Sequence, residues 1–390
     1  MKTISIVLLA VLFFWSCSKE EVAPPQVYNC EFSFADSSAS HPNAAIYQSI
    51  LESNQKHGLI GVSVLIKDKY GVWSGAAGKA DVEAGVDVQA CQPFFIASIS
   101  KAYTATCVYA YIDAGILSLD DPVNKWLAPS LIEKVENAGE SQIKHLLSHT
   151  SGIPDYYTLG FDLDRMNAVH NGWTQADVLT YTYGQPAYNE VGEAYRYSNT
   201  NFVLLGMILE QASGLSLAEV YQEKIFDPLN LTSAYFGTTG SIPADIVKGY
   251  VDIYGEGEYV ESEFLFRDEL GLGDGGIAIN AYECGLFFEQ LMKGNLISAA
   301  SLAQMTDWFP LPEGWEDPGF GHYQNGYGIQ RMTSDYGTAV GHTGAINGFF
   351  TVAEYFPEQD ATIVILVNCA SYDLEPVENI YKESLKAMFE

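Results

Sequence analysis

Phe94-Phe95-Ile96-Ala97-Ser98-Ile99-Ser100-Lys101-Ala102-Tyr103-Thr104-Ala105-Thr106 opens on aromatic residues, places a serine and runs into about four turns of helix ending at Ala114-Gly115. Ser98 and Lys101 are spaced i, i+3, which on a helix puts both side chains on one face. A lysine beside a serine hydroxyl can accept its proton where a dry pocket or a nearby cation lowers the lysine pKa. A serine in the first turn also meets backbone N–H groups at the positive end of the helix dipole. Nucleophile, base and part of an oxyanion site can therefore come from one turn of chain. The spacing alone does not select this stretch, because Ser-x-x-Lys occurs four times, at Ser16/Lys19, Ser53/Lys56, Ser98/Lys101 and Ser141/Lys144.

With 390 residues, 48% hydrophobic and 17% charged, the chain is large enough for one big domain or two closely packed lobes. Ile4 to Trp15 is apolar except for Ser5, follows Lys2 and precedes Ser16-Cys17. It is short for a bilayer span and reads as an export signal over residues 1–16. Cys17 at that place resembles the lipid-attachment cysteine of a bacterial lipoprotein. The resemblance implies a cell-envelope protein held on the outer membrane, periplasmic or cell-surface side, by its N-terminal lipid only. Lys19-Glu20-Glu21 resembles the tag that sends some lipoproteins to the outer surface. Residues 17–42 are polar, with Pro24-Pro25, and read as a tether. The net charge of −30 becomes −31 without residues 1–16, which hold one lysine and no acid. That argues against nucleic acid or anionic lipid as partners. Cys30, Cys91, Cys107, Cys284 and Cys369 show no C-x-x-C and no paired metal spacing. They read mainly as buried free thiols, with a Cys30–Cys91 bridge open in an oxidising compartment.

Asn43 to His57 has helical periodicity. Ile60–Lys67 and Tyr70–Ala76 are strand-like runs joined as a hairpin through Asp68-Lys69. From Ser118 to about Arg267 strands become scarce, and helical segments fall near Ser141–His149, Thr174–Tyr183, Thr200–Ala212 and Ser216–Phe226. Leu272-Gly273-Asp274-Gly275-Gly276 leads to Asn280, an N-cap with Glu283 three residues on, and a helix to Lys293. Another helix is expected near Ala299–Trp308. Strand runs return at Tyr327–Met332, Thr338–Gly341, Phe349–Tyr355 and Ala361–Asn368, and a last helix covers Glu375 to Met388. The two strand-rich ends are expected to complete one antiparallel sheet with helices on its faces, and the helical middle to form a second lobe. A cleft between lobes is where a site is expected.

Three short elements then fall in order: Ser98-Ile99-Ser100-Lys101; Tyr197-Ser198-Asn199 ahead of an apolar helix; and His342-Thr343-Gly344 at the end of a late strand run. With them stand His145-Leu146-Leu147-Ser148-His149-Thr150-Ser151-Gly152-Ile153-Pro154, Gly275-Gly276, Gly326-Tyr327-Gly328 and Gly344-Ala345-Ile346-Asn347-Gly348-Phe349. This ordered set resembles the penicillin-recognising serine hydrolases: class C β-lactamases, D-alanyl-D-alanine carboxypeptidases, D-amino-acid amidases and related esterases. The resemblance covers roughly residues 43–390 and selects Ser98 from the four spacing matches. It implies an α/β (α+β), β-lactamase/transpeptidase-like fold. The sheet lobe would take about 43–117 and 268–390, and the helical lobe about 118–267.

The resemblance also implies roles. Ser98 would form an acyl-enzyme; Lys101 would hold or take its proton; Tyr197 would act as general base and later acid, its pKa lowered by the Lys101 cation. Asn199 would bind the substrate amide, His342, Thr343 and Gly344 would line the substrate site, and the N–H groups of Ser98 and Ala345 would form the oxyanion hole. No metal or organic cofactor is needed. His145 and His149, at i, i+4, lack the Glu of a His-Glu-x-x-His site and read as structural. Many β-lactamases have lysine where this chain has His342, and histidine is largely neutral near neutral pH. The expected partner is a small-molecule or peptide substrate, a cell-wall peptide or a β-lactam. The leading expectation is carboxypeptidase-like hydrolysis of a D-amino-acid peptide. Esterase and weak β-lactamase action are alternatives, as is a penicillin-binding sensor with little turnover. The loops Tyr156–Asn171 and Phe309–Tyr323 are expected to shape the pocket.

Overall fold

The computed structural model describes residues 38–167, 173–237, 242–263, 271–310, 320, 322–370 and 374–390. The expected signal segment, Cys17, Cys30 and most of the tether lie outside the described residues. At the tether's end, Ser38–Ser40 forms a 3-10 turn. Ser38 Oγ accepts from Ser74 N at 2.8 Å, and buried His41 meets Asp68 at 3.0 Å. Residues 38–42 therefore pack on the sheet.

The strands of the main sheet are β1 (Gly61–Asp68), β2 (Gly71–Asp81), β3 (Val86–Asp87), β4 (Phe309–Pro310), β5 (His322–Asn325), β6 (Gln330–Ser334), β7 (Gly337–Ile346), β8 (Phe349–Phe356) and β9 (Ala361–Val367). Their order is β3-β2-β1-β9-β8-β7-β6-β5-β4, and every neighbouring pair is antiparallel. The N-terminal hairpin thus joins the C-terminal meander through β1 and β9, with Val64 opposite Ile365. The helices that matter for the site and the sheet are α1 (Ala44–Gln55), α2 (Ser100–Asp113), α3 (Leu159–Met166), α4 (Asn199–Ser213), α5 (Ala281–Met292) and α6 (Glu375–Phe389).

Strand alternation sorts the core into two layers. Val62, Val64 and Ile66, with Ile363 and Ile365, pack against Tyr47 and Leu51 of α1 and Ile380 and Leu385 of α6. Leu65, Val364 and Leu366 face the other way, onto the layer that holds Phe287 and Phe288 of α5 and the buried face of α2. The apolar helices α2 and α4 belong to this second layer, which continues into the middle of the chain. The sheet and the helical part therefore share one core across the region where the three sequence motifs meet.

Several expectations shift in detail. β7 runs through His342, Thr343, Gly344 and Ala345 to Ile346, so the third motif lies inside a strand. The sheet also gains β4 and β5, which the sequence reading left as loop. The expected helix at Ser141–His149 is Ile143–Leu147, and that at Thr174–Tyr183 is Gln175–Leu179 followed by a 3-10 turn. Asn280 does cap α5, accepting from Glu283 N at 2.8 Å. The Glu283 carboxylate, however, does not return to the cap. It is buried and accepts from both the N–H and the hydroxyl of Thr232 and Ser233, at 2.7–3.2 Å, tying the helical lobe to α5. Cys107, Cys284 and Cys369 are buried free thiols as read, but Cys91 is disulfide-bonded.

Candidate active site

Phe94–Phe95 pairs as a short strand with Ile277–Ile279, and Ile96 N continues the pairing onto Ile277 O at 2.9 Å. The chain then turns sharply at Ala97, which has φ 47°. That left-handed conformation costs a non-glycine residue about 1 kcal/mol. The turn lifts Ser98 into a 3-10 turn ahead of α2, leaving it half-buried while Ala97, Ile99, Ser100 and Lys101 are buried. Ser98 thus precedes the α-helix proper, one turn from Lys101.

Ser98 Oγ receives two hydrogen bonds, from Lys101 Nζ at 2.9 Å and from Tyr197 OH at 3.0 Å. The remaining donors of Lys101 go to Asn199 Oδ1 at 2.8 Å and to the backbone carbonyl of Asp274 at 2.9 Å. Its ammonium also lies 5.1 Å from the centroid of the Tyr197 ring. Lys101 is fully buried, and burial lowers its pKa to about 8 against the opposing fields of Asp274 and Asp155. Burial pushes the Tyr197 phenol far the other way, well above its ordinary value. Asp274 and Asp155 add to that rise, and the bond to Ser98 opposes it. The expectation that Lys101 would make Tyr197 acidic is therefore reversed. Near neutral pH the tyrosine is a donor, and the lysine is the group whose pKa lies within reach.

Asn199 opens α4 and is held at both ends, since its Nδ2 donates to Asp155 Oδ2 at 3.0 Å. Substrate binding there would have to share or displace those contacts. β7 passes the Ser98 turn closely. A Cβ on Gly344 would fall 2.3 Å from Ile96 O and 3.1 Å from Ser98 N, so only glycine allows the approach. Thr351 Oγ1 donates to Ile96 O at 3.1 Å and fastens the turn to β8. Alternation puts His342 on the Gly344 side of the strand and Thr343 and exposed Ala345 on the other, leaving Ala345 its backbone for a role at Ser98. His342 is buried, and burial drops its pKa to about 3, so it is uncharged near neutral pH. Thr343 N donates to Gln330 Oε1 at 3.2 Å.

The sequence reading missed four site residues. His149, read as structural, stacks on Tyr197 with centroids 4.3 Å apart and 25° between planes. Its Nδ1 accepts from Ser198 N and Asn201 Nδ2, both at 3.2 Å, and burial holds its pKa well below the usual histidine range. His145 does a different job, accepting the Gln142 N–H at 3.2 Å. Asp155, Tyr156 and Asp274 lie behind Asn199 and Lys101, with Tyr156 OH donating to Asp274 Oδ2 at 3.0 Å. His149 stood in a stretch quoted for its family look, and Asp274 in the Gly-rich stretch before α5. Neither place carries a chemical signal until folding brings Tyr197 and Lys101 alongside. Because His149 sets the Tyr197 ring plane, His149→Ala is expected to lower kcat/KM about 10²-fold, read by steady-state kinetics on an ester substrate.

Of the loops expected to shape the pocket, 168–171, 311–319 and 321 lie outside the described residues. The described part of the first carries α3, whose buried Arg165 stacks over Tyr157 and Phe161 and pairs with Asp162. With the Asn347 amide turned to face it, Arg165 reaches Asn347 Oδ1 at 2.7 and 3.1 Å. Helix α3 is thereby joined to the turn that follows β7.

The profile of the family described as Beta-lactamase matches residues 46–386. Penicillin-binding protein 4* of Bacillus subtilis (strain 168) is 30% identical over 308 residues, covering 76% of this chain and 65% of its own length. Protein flp of Staphylococcus aureus (strain N315) is 30% identical over 201 residues, covering 50% of this chain and 39% of its own length. This chain thus spans less than two thirds of both curated relatives. Among solved structures, the D-amino acid amidase of Ochrobactrum anthropi SV3 complexed with D-phenylalanine superposes with TM-score 0.77 at 22% identity, over 88% of this chain and 99% of that one. The octameric penicillin-binding protein homologue of Pyrococcus abyssi gives TM-score 0.73 at 25% identity, over 88% and 77%.

Proposed function

The chain belongs to the beta-lactamase family, and we propose that it hydrolyses an amide or ester bond through an acyl-Ser98 intermediate. One observation carries the reading: Ser98 Oγ is met at once by a lysine with a pKa of about 8 and by a neutral phenol. In acylation the neutral Lys101 amine takes the Ser98 proton as Oγ attacks the carbonyl. Tyr197 then gives its proton to the leaving group and takes one back from the Lys101 ammonium, so the acyl-enzyme is left with a neutral amine and a neutral phenol. In deacylation the Lys101 amine takes a proton from water, relayed by Tyr197, and hydroxide adds to the ester. The Ser98 oxygen leaves with the proton stored on Lys101, and the enzyme returns to its starting state. The N–H groups of Ser98 and Ala345 are our candidates for the donors to the oxyanion.

We propose an amide bond on the carbonyl side of a D-amino acid as the substrate, in keeping with the fold's likeness to a D-amino acid amidase. The D-alanyl-D-alanine carboxypeptidase mode needs an anchor for a terminal carboxylate. An uncharged His342 gives no fixed positive charge for one, which favours amidase or esterase action. We also propose export and lipid anchoring at Cys17, and the disulfide at Cys91 supports an oxidising compartment.

The test is intact-protein mass spectrometry with product analysis. Wild type and Ser98→Ala would be exposed to a fluorescent penicillin, an aryl ester, D-phenylalanine amide and a D-alanyl-D-alanine peptide. The expected result is an adduct or product that vanishes in Ser98→Ala, with the amide turned over faster than the peptide. A stable penicillin adduct without turnover of any substrate would instead favour a sensor. Hydrolysis that persists in Ser98→Ala would sink the acyl-serine reading.

A further inference from the structure

Lys101 lies against the loop 272–277, which its own helix grips at successive points. Ser100 Oγ accepts from Ile277 N at 3.4 Å, Lys101 Nζ donates to the Asp274 carbonyl at 2.9 Å, and Thr104 Oγ1 donates to the Gly273 carbonyl at 2.5 Å. Lys101 and Thr104 are one turn apart on α2, so two consecutive carbonyls are read by one helix face. The other side of the loop presses on α4. A Cβ on Gly273 would fall 2.3 Å from Phe202 O and 3.1 Å from Gly206 Cα. The backbone of Asp274 is therefore fixed, and its carboxyl is fixed with it.

That carboxyl has no role in the acyl-transfer chemistry above. It is 7% exposed, accepts one bond from Tyr156 OH at 3.0 Å, and leaves Oδ1 without a hydrogen-bond partner among the described residues. A carboxylate so poorly solvated is costly unless a cation stands near. The cation in whose field it lies is Lys101.

We infer that Asp274 is a positioning residue for Lys101, whose backbone carbonyl aims the amine at Ser98 and whose buried carboxylate sets its basicity. The inference rests on the acyl-serine reading. A fully buried lysine without a counter-charge can fall to a pKa of about 5–6, which makes a weak base. Lys101 is held at about 8 instead, near the range where a general base is most effective. Asp274 itself is pushed up to about 6 by burial, so at working pH it is the anion this role requires.

Of the other groups around Lys101, Asp155 adds a negative charge, whereas the histidines and tyrosines add none. His149 from the helical lobe and His342 from β7 are both held uncharged by burial. Tyr156, Tyr197 and Tyr221 are neutral phenols with raised pKa values. Asp155 is the second carboxylate, hydrogen-bonded by Asn199 Nδ2 and by Tyr157 N at 3.1 Å, and its field on Lys101 adds to that of Asp274 but ranks below it.

The experiment is an NMR titration of the full chain carrying ¹³C/¹⁵N-lysine, with the Lys101 resonance assigned by its loss in Lys101→Arg. Asp274→Asn keeps shape and the Tyr156 contact but removes the charge. It is expected to lower the Lys101 midpoint by about one pH unit or more. The acid limb of kcat/KM for p-nitrophenyl acetate is expected to move down with it. Tyr156→Phe, which strips the carboxylate of its hydrogen bond, is expected to shift both in the same direction by less. If Asp274→Asn does not fold, Tyr156→Phe carries the test. A midpoint within about 0.3 pH unit of wild type, or a lower plateau rate with an unmoved limb, would overturn the inference in favour of a structural role. Ester hydrolysis unaffected by Ser98→Ala would count against the acyl-serine reading alone, because the lysine titration reads Asp274 without turnover.

Discussion

Lys101→Met is expected to lower kcat/KM by about 10³–10⁴-fold while changing folding stability by less than about 2 kcal/mol. The kinetic loss follows from the two bonds at Ser98 Oγ. Methionine leaves only Tyr197, whose phenol is a donor with a pKa far too high to take the serine proton. The small stability change follows from opposing terms. Substitution removes a fully buried ammonium, whose desolvation is unfavourable, and replaces it with an apolar chain of similar length. Against that, the Asp274 carbonyl and Asn199 Oδ1 each lose a donor, and the buried Asp274 carboxylate, already pushed up to about 6, loses its cation and takes up a proton instead. Steady-state kinetics and urea denaturation on the same preparation separate the two effects. Activity within about tenfold of wild type would mean that Tyr197 is the base after all, and that the burial argument for its pKa is wrong.

The second large effect concerns stability and pH, and it lies on β8. Glu354 is fully buried, accepts from Tyr381 OH of α6 at 2.7 Å, and has no partner for Oε1 among the described residues. Burial raises its pKa to about 8, with the Tyr381 bond opposing, from 4.5 in an unperturbed chain. The folded protein therefore keeps this proton over a range where the unfolded chain has lost it. A raised folded-state pKa contributes stability that is fully present below pH 4.5 and is lost as pH rises to about 8. The full span is on the order of 5 kcal/mol as an upper figure. Glu354→Gln cannot ionise, so its stability should lack this slope. Chemical denaturation from about pH 5 to about pH 9 is expected to show wild type losing ground to the variant by several kcal/mol. Parallel curves would show that Glu354 is solvated or paired in solution.

The trio of motifs was legible because each carries its chemistry in adjacent residues. Ser98 and Lys101 are joined by helix spacing, Tyr197 and Asn199 by a short turn into a helix, and His342 to Ala345 by strand alternation. Asn280 was legible as a cap for the same local reason. Glu283 was not read correctly, because its partners Thr232 and Ser233 are distant in sequence and the local alternative, a capping box, looked adequate. β5 and β4 were missed because they are short strands, and the pairing of β5 onto β6 and of β4 onto β5 is a tertiary choice.

By itself the sequence pointed to the family through the order of its motifs, to the antiparallel sheet assembled from both chain ends through strand alternation, and to Ser98 as the candidate nucleophile through the family resemblance. Only the tertiary structure decided the protonation balance around Ser98 on which the proposed mechanism rests. Burying Lys101 fully and Tyr197 in part moves their pKa values in opposite directions, and desolvation depends on what surrounds a group. The same holds for His149 beneath Tyr197 and Asp274 behind Lys101. Residues far apart in the chain become one electrostatic unit only when the two lobes close a single dry core around them.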